Sequence, residues 1–254
     1  MANEFSGKTA LVTGASRGIG AAAAVGLARA GVARVVVHYN RYREGAEATL
    51  DAVRGAGAQA DAIGGDLGDT EGIRRFVVQL AETAPAVDTL INNAGSLVQR
   101  AGLIECGEDL FDRVMNLNFK SAWAITRAVA PYMIERKSGV IVNVSSIAAR
   151  NGGGLGASVY AAAKAAVMTI TKGWARELAP LGIRVNAVSP GTVDNYFHQQ
   201  FSTRQILDSV IAQTPAGRLG ANEDVADVIV FLCSDAARYI HGQTVEINGG
   251  MLAP

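Results

Sequence analysis

The fold turns on "KTALVTGASRGIG", residues 8–20. Its first six residues are short, apolar and partly β-branched, which suits a strand. Gly14, Gly18 and Gly20 follow in the spacing GxxxGxG, and then the alanine-rich "AAAAVGLARA" (21–30), which favours helix. Glycine removes side chains where a backbone turns tightly and lets a ligand approach closely. A helix that starts near Ile19 aims its unpaired N–H groups and the positive end of its dipole into that turn. A pyrophosphate fits there. The competing reading is an ordinary strand-to-helix turn that happens to use glycine, and the rest of the chain decides between the two.

Outward from this stretch, short β-branched runs alternate with longer amphipathic ones. The expected strands are 8–13, 34–39, 58–63, 88–92, 139–145, 183–189 and 243–247, with helix-length segments near 18–30, 44–55, 70–84, 108–136, 158–179 and 222–233. Such alternation implies βαβ units and a parallel sheet covered by helices on both faces. The run Val35-Val36-Val37 fits a strand buried on both sides. No repeat, low-complexity tract or Pro/Gly/Ser-rich linker interrupts the chain. The expectation is one doubly wound α/β domain over residues 1–254 with a seven-stranded parallel sheet. One segment breaks the rhythm: "TVDNYFHQQFSTRQILDSVIAQTPAGRLG", 192–220, has no strand signal and has the length of a substrate lid.

Composition narrows the function. Of 254 residues 49% are hydrophobic, and Lys plus Arg (23) balances Asp plus Glu (23). That neutrality gives no reason to expect nucleic acid or an anionic membrane as partner. No run of about 20 apolar residues is long enough for a span, and the N-terminal stretch lacks a signal-peptide pattern. Cys106 and Cys233 lie far apart, as two free thiols of a reducing cytoplasm would. His38, His198 and His241 are scattered, so no metal site is expected.

Three further signals join the glycine turn: "NNAG" (92–95), a serine after the fifth strand in "VNVSSIAAR" (142–150), and Tyr160 four residues before Lys164 in "SVYAAAKAAV" (158–167). Together they resemble the short-chain dehydrogenase/reductase family, from Lys8 to about Gly250. The resemblance implies a Rossmann-type fold and a nicotinamide cofactor. It places Asp66 of "GGDLGD" at the adenine with Leu67 packed nearby, and Asn93, Ala94 and Gly95 beside the adenosine ribose. Asn92 is read as a structural clamp. Pro190 and Gly191 of "SPGTV" shape the loop at the nicotinamide end, Thr192 reaches the diphosphate, and the Val193 backbone pairs with the carboxamide.

The same resemblance assigns the chemistry. A separation of four puts Tyr160 and Lys164 on one helix face. A free phenol has a pKa near 10, and an ammonium one turn away is expected to lower it. Tyr160 then serves as general acid toward a carbonyl oxygen and as base in the reverse direction. Lys164 also has hydrogen bonds for the nicotinamide ribose. Ser146, 14 residues before Tyr160, polarises the carbonyl, with Ser145 structural. Asn118 opens its helix and holds a water that links Lys164 to solvent. The bland alternative for Tyr160 and Lys164 is a core tyrosine beside a snorkelling lysine.

The second strand ends in Tyr39, not in the Asp or Glu that binds a free ribose 2′-OH. Asn40 and Arg41 follow, and Ser16 and Arg17 sit in the glycine turn, so NADP(H) is expected over NAD(H). Gln99, Arg100, Arg150, Asn151 and His198, with Ser146, are the candidate substrate contacts. They hint at a small polar carbonyl or alcohol substrate, an anionic keto acid among the possibilities. The chain is similar to reductases of the keto-deoxy uronate released from alginate and to 3-oxoacyl-carrier-protein reductases. A non-catalytic nucleotide sensor is the competing class. Family resemblance also implies a homotetramer in the cytoplasm.

Overall fold

A computed structural model describes residues 4–253. In chain order it forms β1 (Thr9–Val12), α1 (Gly18–Arg29), β2 (Arg34–Tyr39), α2 (Arg43–Gly55), β3 (Gln59–Gly64), α3 (Thr70–Thr83), β4 (Thr89–Asn92), α4 (Glu108–Met115), α5 (Ser121–Arg136), β5 (Gly139–Val144), α6 (Ala148–Asn151), α7 (Ser158–Leu178), β6 (Ile183–Pro190), α8 (Tyr196–Phe201), α9 (Arg204–Gln213), α10 (Asn222–Cys233) and β7 (Thr244–Ile247). All seven expected strands form, and they pair in parallel in the order β3-β2-β1-β4-β5-β6-β7.

Both faces of the sheet are dry. Val35 and Val37 point into one core with Leu27, Val53, Ile229 and Leu232, while Val36 points into the other with Phe76, Leu90, Ile125, Met133 and Ile141. Successive strand side chains alternate faces, so a three-valine run serves two cores at once. The strand order reverses between β1 and β4, which opens a crevice beyond their carboxyl ends. The glycine turn leaves β1 at that point, and Asn93-Ala94-Gly95 leave β4 beside it.

Two elements depart from the periodic reading. The expected single helix over 108–136 is α4 and α5 joined by a π-helical turn at Asn116–Lys120. Asn118 causes it: its Nδ2 donates to the Val114 carbonyl at 2.9 Å, a carbonyl that a regular helix would give to a backbone N–H. The segment 192–220 carries helices α8 and α9, and its two ends meet, with Val193 bridging Gly220 and Asp194 N donating to the Gly220 carbonyl at 2.8 Å. Among the described residues no helix is long and apolar enough to cross a membrane.

Candidate active site

The glycine turn is held by its neighbours. Gly14 adopts φ +64°, and a Cβ there would lie 2.9 Å from Ala94 Cα. Gly20 leaves room for the Asn93 side chain, whose Nδ2 donates to the carbonyls of Thr13 and Gly14 at 2.8 and 3.0 Å. His38 completes the clamp. Gly14 N donates to His38 Nδ1 at 3.0 Å, so Nε2 carries the proton and donates to the Gly65 carbonyl at 2.9 Å. Burial pushes the His38 pKa down to about 4. The N-terminus of α1 has no side-chain cap, so its first N–H groups remain available to an anion.

The turn borders a cavity of about 1040 Å³ that runs along the carboxyl edge of the sheet. Gly14, Ser16, Arg17, Gly18, Ile19, Asn40, Arg41, Asn93, Ala94 and Gly95 line one part of it, and Ser146, Tyr160, Lys164, Pro190, Gly191, Thr192 and Val193 line the other. The cavity, the uncapped helix end and the glycine cradle fit a dinucleotide. Several expected contacts lie elsewhere. Tyr39 packs its ring against Gly64 and stands outside the cavity, because a strand side chain next to Gly64 fills the space that glycine leaves. Asp66 is also outside and pairs with Arg113 at 2.7 Å, while Leu67 is core.

Strand β5 and helix α7 bring Ser146, Tyr160 and Lys164 together. Ser145 Oγ donates to the Lys164 carbonyl at 2.8 Å and so ties strand to helix, while its neighbour Ser146 accepts from Ala148 N at 3.1 Å and lines the cavity with Tyr160. Lys164 is buried, donates to the Val144 carbonyl at 2.8 Å, and stands 5.8 Å from the Tyr160 ring centroid. Asn118 lies behind it. Its Oδ1 accepts from Ser96 N at 3.1 Å and its Nδ2 donates to Ser96 O at 2.8 Å. Gly95 leaves the space this group needs, since a Cβ there would lie 2.7 Å from Asn118 Oδ1 and 2.9 Å from Lys164 Nζ.

The charge balance differs from the sequence expectation. Burial pushes the Tyr160 phenol up to about 12, with the nearby Ser146 hydroxyl offsetting part of the rise, and burial pulls Lys164 down to about 8. Lys164 is aimed at a carbonyl and not at the phenol oxygen, so removal from water outweighs its field. A phenol held high keeps its proton at neutral pH, which is the form a proton donor needs.

On the substrate side, Arg100, Asn151 and His198 line the cavity, and Gln99 and Arg150 do not. Arg150 donates to Glu246 at 3.0 Å, which turns it away from the substrate contact expected of it. Arg100 spends two donors on loop carbonyls, Nε on Phe201 at 2.9 Å and Nη1 on Leu155 at 2.6 Å. His198 meets Ser202 at 3.3 Å, and its pKa falls to about 4 through burial and the nearby Arg100 charge. Two groups went unseen in the sequence. Tyr42 and Tyr196 hold the Arg17 guanidinium between them at 3.9 and 4.0 Å, and Phe197 leans on Tyr160 at 5.8 Å. Aromatic residues amid the arginines of "YNRYREG" were the available signal.

A parallel sheet with a glycine cradle in its crevice and a Tyr–Lys pair over the same cavity define an oxidoreductase of the dinucleotide-binding kind. The chain belongs to the short-chain dehydrogenase/reductase family, and residues 14–252 match the family described as enoyl-(acyl carrier protein) reductase. It is 37% identical to the 3-oxoacyl-[acyl-carrier-protein] reductase FabG of Staphylococcus aureus over 244 residues, 96% of this chain and 98% of the relative. Among solved structures it is similar to the NADH-dependent reductase A1-R′ responsible for alginate metabolism, with 34% identity, TM-score 0.88 and coverage of 99% and 100%. It is also similar to a putative NAD(P)-dependent gluconate 5-dehydrogenase from Beutenbergia cavernae with bound NADP, with 37% identity, TM-score 0.89 and coverage of 99% of each chain.

Proposed function

We propose that this enzyme is an NADPH-dependent reductase of a small polar keto acid, with Tyr160 as proton donor, Ser146 polarising the carbonyl, Lys164 holding the nicotinamide ribose and Asn118 supporting Lys164. A nicotinamide dinucleotide, when bound, supplies the hydride. The observation that carries the reading is a single cavity with Tyr160, Ser146 and Lys164 in one part and Arg17, Asn40 and Arg41 in another. No carboxylate ends β2, so nothing there repels a 2′-phosphate, and arginine forks suit it. The relatives differ in cofactor: one solved neighbour is NADH-dependent and another holds NADP. The arginine pair decides for NADPH in this chain.

Segment 192–220 acts as the substrate lid of a single domain, since its ends meet at Val193 and Gly220 while Phe197 of α8 lies 5.8 Å from the Tyr160 ring. The polar wall of Arg100, Asn151 and His198 favours a uronate-derived keto acid, the substrate class also suggested by the likeness to A1-R′. The full-length match to FabG supports a 3-oxoacyl-carrier-protein substrate as the second reading. Exposed Phe111 and Trp123 on α4 and α5 support a homotetramer, and two free cysteines a reducing cytoplasm. The test follows NADPH oxidation by the absorbance of the reduced nicotinamide, with uronate-derived keto acids, α-dicarbonyls and a 3-oxoacyl thioester. Turnover of the keto acids above the thioester is expected. A preference for the thioester selects the second reading, and binding without turnover of any carbonyl selects a sensor.

A further inference from the structure

Helix α8 has six residues and touches three parts of the cavity. Tyr196 lies over the Arg17 guanidinium at 4.0 Å, Phe197 lies 5.8 Å from Tyr160, and the Phe201 carbonyl accepts from Arg100 at 2.9 Å. Asn195 fixes the approach to it, accepting from Phe197 N at 3.1 Å and donating to Asn222 Oδ1 at 3.2 Å. Tyr42 lies over the same guanidinium at 3.9 Å. Room for that ring comes from Gly45, where any side chain would run into the Tyr42 ring and the Ser16 carbonyl.

Among the described residues the Arg17 side chain has no hydrogen-bond or ion-pair partner, although it lines the cavity. Two rings therefore contact the guanidinium while its N–H donors stay uncommitted. We propose that Tyr196 and Tyr42 are positioning residues for Arg17, so that the grip on a cofactor 2′-phosphate and the seating of α8 over Tyr160 are one event. A phosphate that fixes Arg17 fixes the surface on which Tyr196 stacks, and Phe197 next to Tyr196 is then held against the catalytic phenol. NADP(H) thus closes the lid more firmly than NAD(H). The inference rests on the NADPH reading above.

The test compares NADP⁺ and NAD⁺ on the full-length protein, with calorimetric dissociation constants and hydrogen exchange over residues 194–213. In the wild type, NADP⁺ is expected to slow exchange in that segment more than NAD⁺ does. Tyr196→Ala should weaken NADP⁺ roughly two- to fivefold, the scale of one partly exposed cation–π contact, with a smaller effect on NAD⁺. It should also erase the exchange difference. Tyr196→Phe keeps the ring and should restore both. Equal weakening of the two cofactors by Tyr196→Ala, or equal exchange in the wild type, overturns the coupling. Arg17→Ala separates the two layers. If it weakens NADP⁺ selectively while Tyr196→Ala does not, the coupling alone falls; if it leaves NADP⁺ unaffected, the 2′-phosphate reading falls and takes the coupling with it.

Discussion

Tyr160 sits at the start of a long helix, half-buried in the cavity wall with the Ser146 hydroxyl nearby. In the proposed mechanism that environment holds the proton on the oxygen until a carbonyl is close enough to take it. Tyr160→Phe removes one oxygen and no packing, so fold and cofactor affinity should survive while turnover falls about 10²-fold or more, the scale of a lost general acid. Steady-state rates beside a melting curve check this, and a variant that keeps most of its activity would refute the mechanism. His38 makes the second residue-scale prediction. Its folded pKa of about 4 lies below the ordinary 6.5, so the unfolded chain takes up a proton that the folded chain refuses. The His38 contribution is whole above pH 6.5 and drains away as pH falls from 6.5 towards 4. Between pH 7 and pH 5 the loss should be on the order of 2 kcal/mol in urea unfolding, and His38→Gln, less stable throughout, should show a flatter profile. His198, also lowered to about 4 by burial and the Arg100 charge, titrates in the same direction. A wild-type profile level from pH 7 to pH 5 would show that the Gly14–His38–Gly65 clamp yields without cost.

Elements place these residues by a few directed bonds. The end of β5 shows the logic, because two adjacent serines serve opposite faces. Ser145 is buried and ties β5 to α7 through the Lys164 carbonyl, whereas Ser146 is half-buried and turned to the cavity. Ser145→Ala should cost about 0.5–1.5 kcal/mol in denaturant unfolding, the range for one lost hydrogen bond to a carbonyl that keeps its helical partner. Ser146→Ala should change stability less and turnover more. If turnover suffers more in Ser145→Ala, the two roles are exchanged. The π-helical turn at Asn116–Lys120 has the same character: Asn118 gives up helix regularity to bind Val114 and Ser96, and so fixes the floor behind Lys164. Periodicity predicted one helix across this region because the apolar pattern continues through it. A side chain that captures a backbone carbonyl leaves that pattern intact.

At the scale of the whole molecule, the sheet order brings loops from β1, β4, β5 and β6 to one edge, so the cavity walls come from residues between 14 and 251. The outer faces of α4 and α5 meanwhile carry exposed Phe111, Trp123 and Ile134. Burying them between copies should give a scattering mass of about four times 26.4 kDa, and a mass of 26.4 kDa would refute the tetramer. Seven strands, the parallel sheet and the glycine turn were legible in the sequence because each is written locally, in β-branched runs, helical periodicity and glycine spacing. Family likeness placed Asn118, Ser146, Tyr160 and Lys164, and the cavity gathers the last three with Asn118 behind them. Partnership was not legible, because the groups that meet are far apart in the chain. Arg150 turned to Glu246, Arg100 to two carbonyls, Asp66 to Arg113, and Arg17 found two tyrosines, one of them on a helix that begins at residue 196. Local composition therefore determined the elements and the chemistry on offer. Only the tertiary structure decided which charges stay uncommitted, since that depends on which loops the sheet order brings within a few ångströms of one another.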